Sequence, residues 1–140
     1  MLKEVQQKKY FMGSFPCGTD LLEGLTGICE QENITLGRVE AIGAVQKACY
    51  GFYNQKSREY RFIEKNEELE ILKCSGNISI NNGKPMVHAH IVLSDEKGNA
   101  CGGHLAKGTI VFASEFCIQS FGGAELIREF DEGTNLRLWK

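Results

Sequence analysis

The chain has three histidines, His88, His90 and His104, and all fall within Pro85 to His104, PMVHAHIVLSDEKGNACGGH. Neutral imidazole is a good ligand for zinc and related divalent transition metals. Three such ligands leave a fourth position open for water or substrate, as in catalytic zinc sites. His88 and His90 are two residues apart, so in a strand they point to the same side and make a rigid pair of ligands. The same residues also suit a plainer role, hydrogen bonding at a subunit interface or along a polar groove. The residues alone leave both readings open.

The elements that must position these side chains follow from the surrounding pattern. Val87, Ala89, Ile91 and Leu93 point away from His88 and His90 and read as a core face. Asp95 to Asn99, DEKGN, is a turn signal. After it the chain returns, and Gly102-Gly103 delivers His104 through backbone conformations that other residues rarely adopt. These glycines neither open a capped helix nor complete a phosphate-loop motif, so a geometric role is expected of them.

Glu115 is the candidate catalytic residue. Along Thr109 to Phe121, Ile110, Phe112, Phe116 and Ile118 form one face, while Glu115 lies on the other with Val111 and Cys117. If this strand pairs with the histidine strand, Glu115 shares the sheet face of His88 and His90. There it could be a fourth ligand, could orient an imidazole, or could act as a general base toward metal-bound water. A strand glutamate facing solvent is the alternative. Cys101 is soft enough to ligate zinc and lies near His104, but it also fits as buried filler.

At 140 residues, with 42% hydrophobic content, two prolines and no low-complexity run, the chain is expected to form one domain over 1–140. Its formal net charge is -2 and its longest basic run is Lys8-Lys9. Nucleic-acid binders usually show a basic stripe or patch, so this balance counts against DNA binding, although a folded surface could still gather scattered Lys and Arg. No apolar run approaches the ~20 residues that cross a membrane. The charged N-terminus, MLKEVQQKKY, does not resemble a signal peptide. Six cysteines without a Cys-x-x-Cys pair read as reduced thiols, and a cytoplasmic location is expected.

In chain order, Lys8 to Phe15 reads as a strand. Asp20, with Glu23 three residues on, opens a helix whose stripe is Leu21, Leu22, Leu25, Ile28 and Cys29. Leu36 to Tyr53 is a long strand with a bend at Gly43. Arg58 to Ile63 returns, Glu67 to Ile80 follows, and Asn81-Asn82-Gly83 is a hairpin signal leading into the histidine strand. A break at Gly122-Gly123 precedes a tail with a turn at Asp131-Glu132-Gly133. The expected fold is α+β, a mostly antiparallel sheet of about six strands with one main helix packed on it. Strands apolar on both faces call for a second cover, so self-association is expected.

Several segments together resemble the plant-and-prokaryote-conserved (PPC) domain. They are Gly18-Thr19-Asp20-Leu21-Leu22, Ala41-Ile42-Gly43-Ala44, Glu70 to Gly76, His88 to Asp95, and Gly102-Gly103-His104-Leu105. The resemblance runs through nearly the whole chain, and the histidine segment is its most specific part. It implies a homotrimer. In plants the domain follows AT-hook segments in nuclear regulators, and stand-alone prokaryotic relatives carry a DNA-binding label by that association. This chain has no Arg-Gly-Arg-Pro hook. Plant members generally lack the three histidines, so the resemblance makes the site a feature of the microbial type. The expected function is thus a zinc or similar metal centre that binds or converts a small molecule. The alternative is a regulatory, DNA-associated or protein-interaction module with a structural metal.

Overall fold

The computed structural model describes residues 1–140. Helix α1 (Leu21–Gln31) begins at Asp20, whose Oδ1 accepts the Glu23 backbone N–H at 3.1 Å. The reciprocal half of a capping box does not form, because the Glu23 carboxylate pairs with Lys107 instead. Leu21, Leu25 and Cys29 are fully buried, one helical turn apart.

The remainder is sheet. Its strands are β1 (Gln6–Phe15), β2 (Gly37–Asn54), β3 (Glu59–Lys65), β4 (Leu69–Asn81), β5 (Lys84–Ser94), β6 (Ala100–Leu105), β7 (Ile110–Gly122), β8 (Ile127–Asp131) and β9 (Leu136–Trp139). The α+β class stands, but the strands number nine rather than about six. The three uncounted ones are short. β6 contains the glycine pair that reads as a connection, and β8 and β9 form a hairpin in the tail. Between β4 and β5, Asn82 and Gly83 both have positive φ, the mark of a tight hairpin turn with matching twist.

Pairing is antiparallel throughout except between β4 and β8. A rank of paired residues begins and ends on β2. Glu40 lies opposite Ser75 of β4, Ser75 opposite His90 of β5, His90 opposite His104 of β6, and His104 opposite Gly51, again of β2. Four strands thereby close into a ring. Its inner face carries Val39, Ala41, Cys74, Val87, Ala89, Ile91, Leu93 and Leu105, all buried, and α1 covers the core beside β5. The histidines belong to the outer face.

Strand β7 departs from strict alternation. Ala44 pairs with Ala113 and Val45 with Val111, which leaves Phe112 as the extra residue of a bulge. Phe112 is therefore 61% exposed while Val111 is buried, the reverse of what unbroken alternation predicts for these two.

Candidate metal centre

Two neighbouring strands hold the three histidines. His88 and His90 stand on β5 opposite Asn77 and Ser75, and β6 brings His104 directly across from His90. The close approach of β6 explains its glycines. Gly102 has φ +155, and a Cβ there would meet the Ile91 carbonyl oxygen at 2.0 Å. A Cβ on Gly103 would meet the Gly51 carbonyl oxygen at 2.5 Å. Only a strand without side chains at these positions fits between β5 and β2.

The result is a compact triad. The ring centroids of His88 and His104 are 4.9 Å apart, those of His88 and His90 5.5 Å, and those of His90 and His104 5.6 Å. One nitrogen from each ring lies within 4.8 Å of the other two. Nitrogens sharing one zinc at about 2.1 Å sit about 3.4 Å apart in tetrahedral geometry, somewhat closer than the 4.8 Å limit within which these lie. No carboxylate or thiol joins the group. His104 Nδ1 is buried without a hydrogen-bond partner, a lone pair or N–H that the fold leaves available.

The electrostatics favour neutral rings. Burial, then the charge of Arg128 and the other two histidines, pushes His88 down to about 4. Burial, His90 and Arg128 likewise hold His104 below the ordinary imidazole value. Neutral imidazole is the form that ligates a metal. These donors therefore fit a transition metal.

Two residues that the sequence patterns did not single out border the triad. Arg128, from β8, is 6% exposed. Its Nε donates to Ser79 Oγ at 2.9 Å, its Nη1 to the Arg137 carbonyl at 3.1 Å, and its Nη2 to Asn77 Oδ1 at 2.9 Å. Nη2 also lies 3.3 Å from His88 Nδ1, and Trp139 stacks over the guanidinium at 5.5 Å. Tyr60, from β3, has its ring centroid 5.0 Å from that of His104 and stacks on Phe62 at 5.7 Å. The Tyr60–Phe62 alternation was a faint signal for an aromatic wall. Nothing local marks Arg128.

Glu115 does not join the triad. Strand β7 pairs with β1 and β2, not with β5, so the pairing that would have brought Glu115 to the histidines is not formed. The face was read correctly: Glu115 lies opposite Ile42, in the outer rank of Glu40. Strands β2 and β4 intervene, which puts about 14 Å of sheet between Glu115 and the histidine strand. Glu115 lines a separate groove with Met12, Glu40 and Ile42. Cys101 pairs with Leu93 and packs against the core. All six cysteines are free thiols.

Residues 2–122 match the model of the Plants and Prokaryotes Conserved (PCC) domain. The chain belongs to this family. The three histidines and Glu115 lie within the matched PCC segment, and Arg128 lies beyond it. Among PCC-like structures, a metal-containing protein from Archaeoglobus fulgidus is 37% identical, with a TM-score of 0.95 over 100% of this chain and 99% of its own. A plant- and prokaryote-conserved protein from Pyrococcus horikoshii is 28% identical, with a TM-score of 0.94 over 100% and 97%. A protein provisionally named DNA-binding from Bacteroides thetaiotaomicron is 25% identical, with a TM-score of 0.87 over 97% and 96%. The bifunctional protein GlmU of Synechococcus sp. is 30% identical over 108 residues, 76% of this chain, but the match spans only 16% of that larger protein.

Proposed function

We propose that this PCC-domain protein holds a divalent transition metal, zinc by ligand type, on His88, His90 and His104, and that the centre binds or converts a small molecule. The observation that carries this reading is the convergence of three ligand nitrogens within 4.8 Å of one another. Three protein ligands leave a coordination position for water or substrate, the pattern of catalytic rather than structural zinc. The metal-containing relative from Archaeoglobus fulgidus supports the same reading. The test is metal analysis of protein prepared without a histidine tag. Stoichiometric zinc or cobalt uptake is expected, and His88→Ala and His104→Ala should each abolish it. No uptake at millimolar metal overturns the reading.

The centre belongs to a homotrimer. Met12 and Ile42 are 78% and 56% exposed along one groove on the outer face, an apolar surface suited to burial against another copy.

The second reading is a DNA-associated or protein-interaction module with a structural metal, favoured by the provisional name of the Bacteroides thetaiotaomicron relative. A mobility shift with duplex DNA at physiological salt, weakening steeply as salt rises, would support it. The net charge of -2 favours the small-molecule reading. No helix is long and apolar enough to cross a membrane.

A further inference from the structure

Arg128 is a buried cation without a counter-charge. No carboxylate pairs with it, and its neighbours are Ser79, Asn77, His88 and the Arg137 carbonyl. A guanidinium only donates. At its Nη2, one N–H is taken by Asn77 Oδ1, and the other faces His88 Nδ1 at 3.3 Å. His88 Nδ1 must therefore be the acceptor, and the proton of the neutral ring sits on Nε2.

That arrangement cannot survive metal binding at His88, whichever nitrogen is used. A metal on Nδ1 takes the lone pair that the guanidinium now uses. A metal on Nε2 requires a neutral ring with its proton on Nδ1, which then faces the guanidinium donor to donor. In both cases one Nη2–H of Arg128 loses its acceptor. A charged donor left unpaired at 6% exposure is unfavourable. The charge count points the same way. A divalent ion and Arg128 together bring three positive charges, and the ligand group contains only imidazoles and no carboxylate.

Resting on the metal reading above, we propose that the loaded site takes a small oxyanion, a carboxylate or a phosphate, and that Arg128 is the residue that selects it. The anion fills the open coordination position and accepts the N–H that His88 gives up. Metal and anion then strengthen each other's binding, since each supplies what the other leaves unmet.

The test uses the full chain loaded with cobalt, whose visible absorption reports changes in its ligands. Acetate, inorganic phosphate and the neutral analogue acetamide are titrated into wild type and Arg128→Gln. At least one anion is expected to shift the spectrum where acetamide does not, with affinity roughly tenfold to a hundredfold weaker in Arg128→Gln. Equal anion affinity in the two proteins, or equal response to acetamide, overturns the proposal while leaving the metal site intact. No cobalt spectrum before any anion is added overturns the metal reading itself, and this proposal with it. If Arg128→Gln fails to fold, the guanidinium resonances of nitrogen-15-labelled wild type decide. The Arg128 Nη signals should shift on zinc loading and shift again on adding acetate or phosphate. Signals that ignore both additions overturn the proposal.

Discussion

Acidifying the metal-free protein should destabilise it through His88. The folded state holds this imidazole at about 4, against an ordinary value of about 6.5 in the unfolded chain. The sign follows from proton uptake. Above about pH 7 both states are neutral and His88 contributes no pH dependence. As pH falls below 6.5 the unfolded chain takes up a proton that the folded state refuses, so stability drops until the folded ring itself titrates near 4. At about pH 5 the difference corresponds to about 2 kcal/mol. His88 keeps partial solvent access, and screening reduces this to about 1 kcal/mol. That is a measurable share of a typical domain's total stability of about 5–15 kcal/mol. The assay is urea denaturation of chelator-treated wild type and His88→Gln at about pH 7.5 and about pH 5. Carboxylates titrate equally in both proteins and cancel in the difference. Wild type should lose about 1 kcal/mol more than the variant between the two conditions. Equal losses would refute the claim that burial and Arg128 hold His88 neutral. Zinc in hundredfold excess over its dissociation constant should restore about 2.7 kcal/mol to wild type at the higher pH.

Three further outcomes follow from particular contacts. Gly102→Ala places a Cβ 2.0 Å from the Ile91 carbonyl, so it should cost more than about 3 kcal/mol in urea denaturation and loosen the triad; stability within about 1 kcal/mol of wild type would show that β6 does not lie this close. Glu115→Gln should leave metal affinity unchanged, since β2 and β4 separate it from the histidines; a fall of about tenfold or more would mean that another copy brings Glu115 to the metal. Met12→Lys combined with Ile42→Lys should convert a trimer to smaller species in sedimentation, and a stable wild-type monomer at micromolar concentration would refute the assembly outright.

The parts of the site that were legible in the sequence are those that local geometry determines. His88 and His90 share a side because strand alternation has a period of two, and Gly102-Gly103 announces a tight approach because backbone sterics are local. The same rule placed Glu115 on the correct face. It could not supply the neighbours of β7, which depend on how long strands choose partners across the fold. The miscount of strands has a similar cause: β6 is six residues long, with two glycines where side chains would identify a strand. Arg128 was invisible for a stronger reason. It reaches His88 from forty positions away, on β8, through the sheet's one parallel pairing, Ile80 with Ile127 and Asn81 with Arg128. No spacing rule links a tail arginine to a histidine strand, and an isolated arginine in a polar tail reads as a surface residue.

Arg128 also bears on the choice between a small molecule and a nucleic acid. A duplex is held by cations that reach its phosphates from an exposed surface. This guanidinium is 6% exposed and is committed to Ser79, Asn77, the Arg137 carbonyl and His88 beneath the Trp139 ring. A duplex phosphate is met by cations on an exposed surface, and this cation is buried. His90 is the exposed member of the triad, so a metal or a small solute can meet the group there. Buried charge with no carboxylate partner is costly to maintain, and the fold commits four hydrogen-bonding neighbours to keep it beside three imidazoles. That expenditure is hard to account for in a surface that merely docks on DNA. It has a direct use in a centre that must discriminate an anion from a neutral molecule of the same shape.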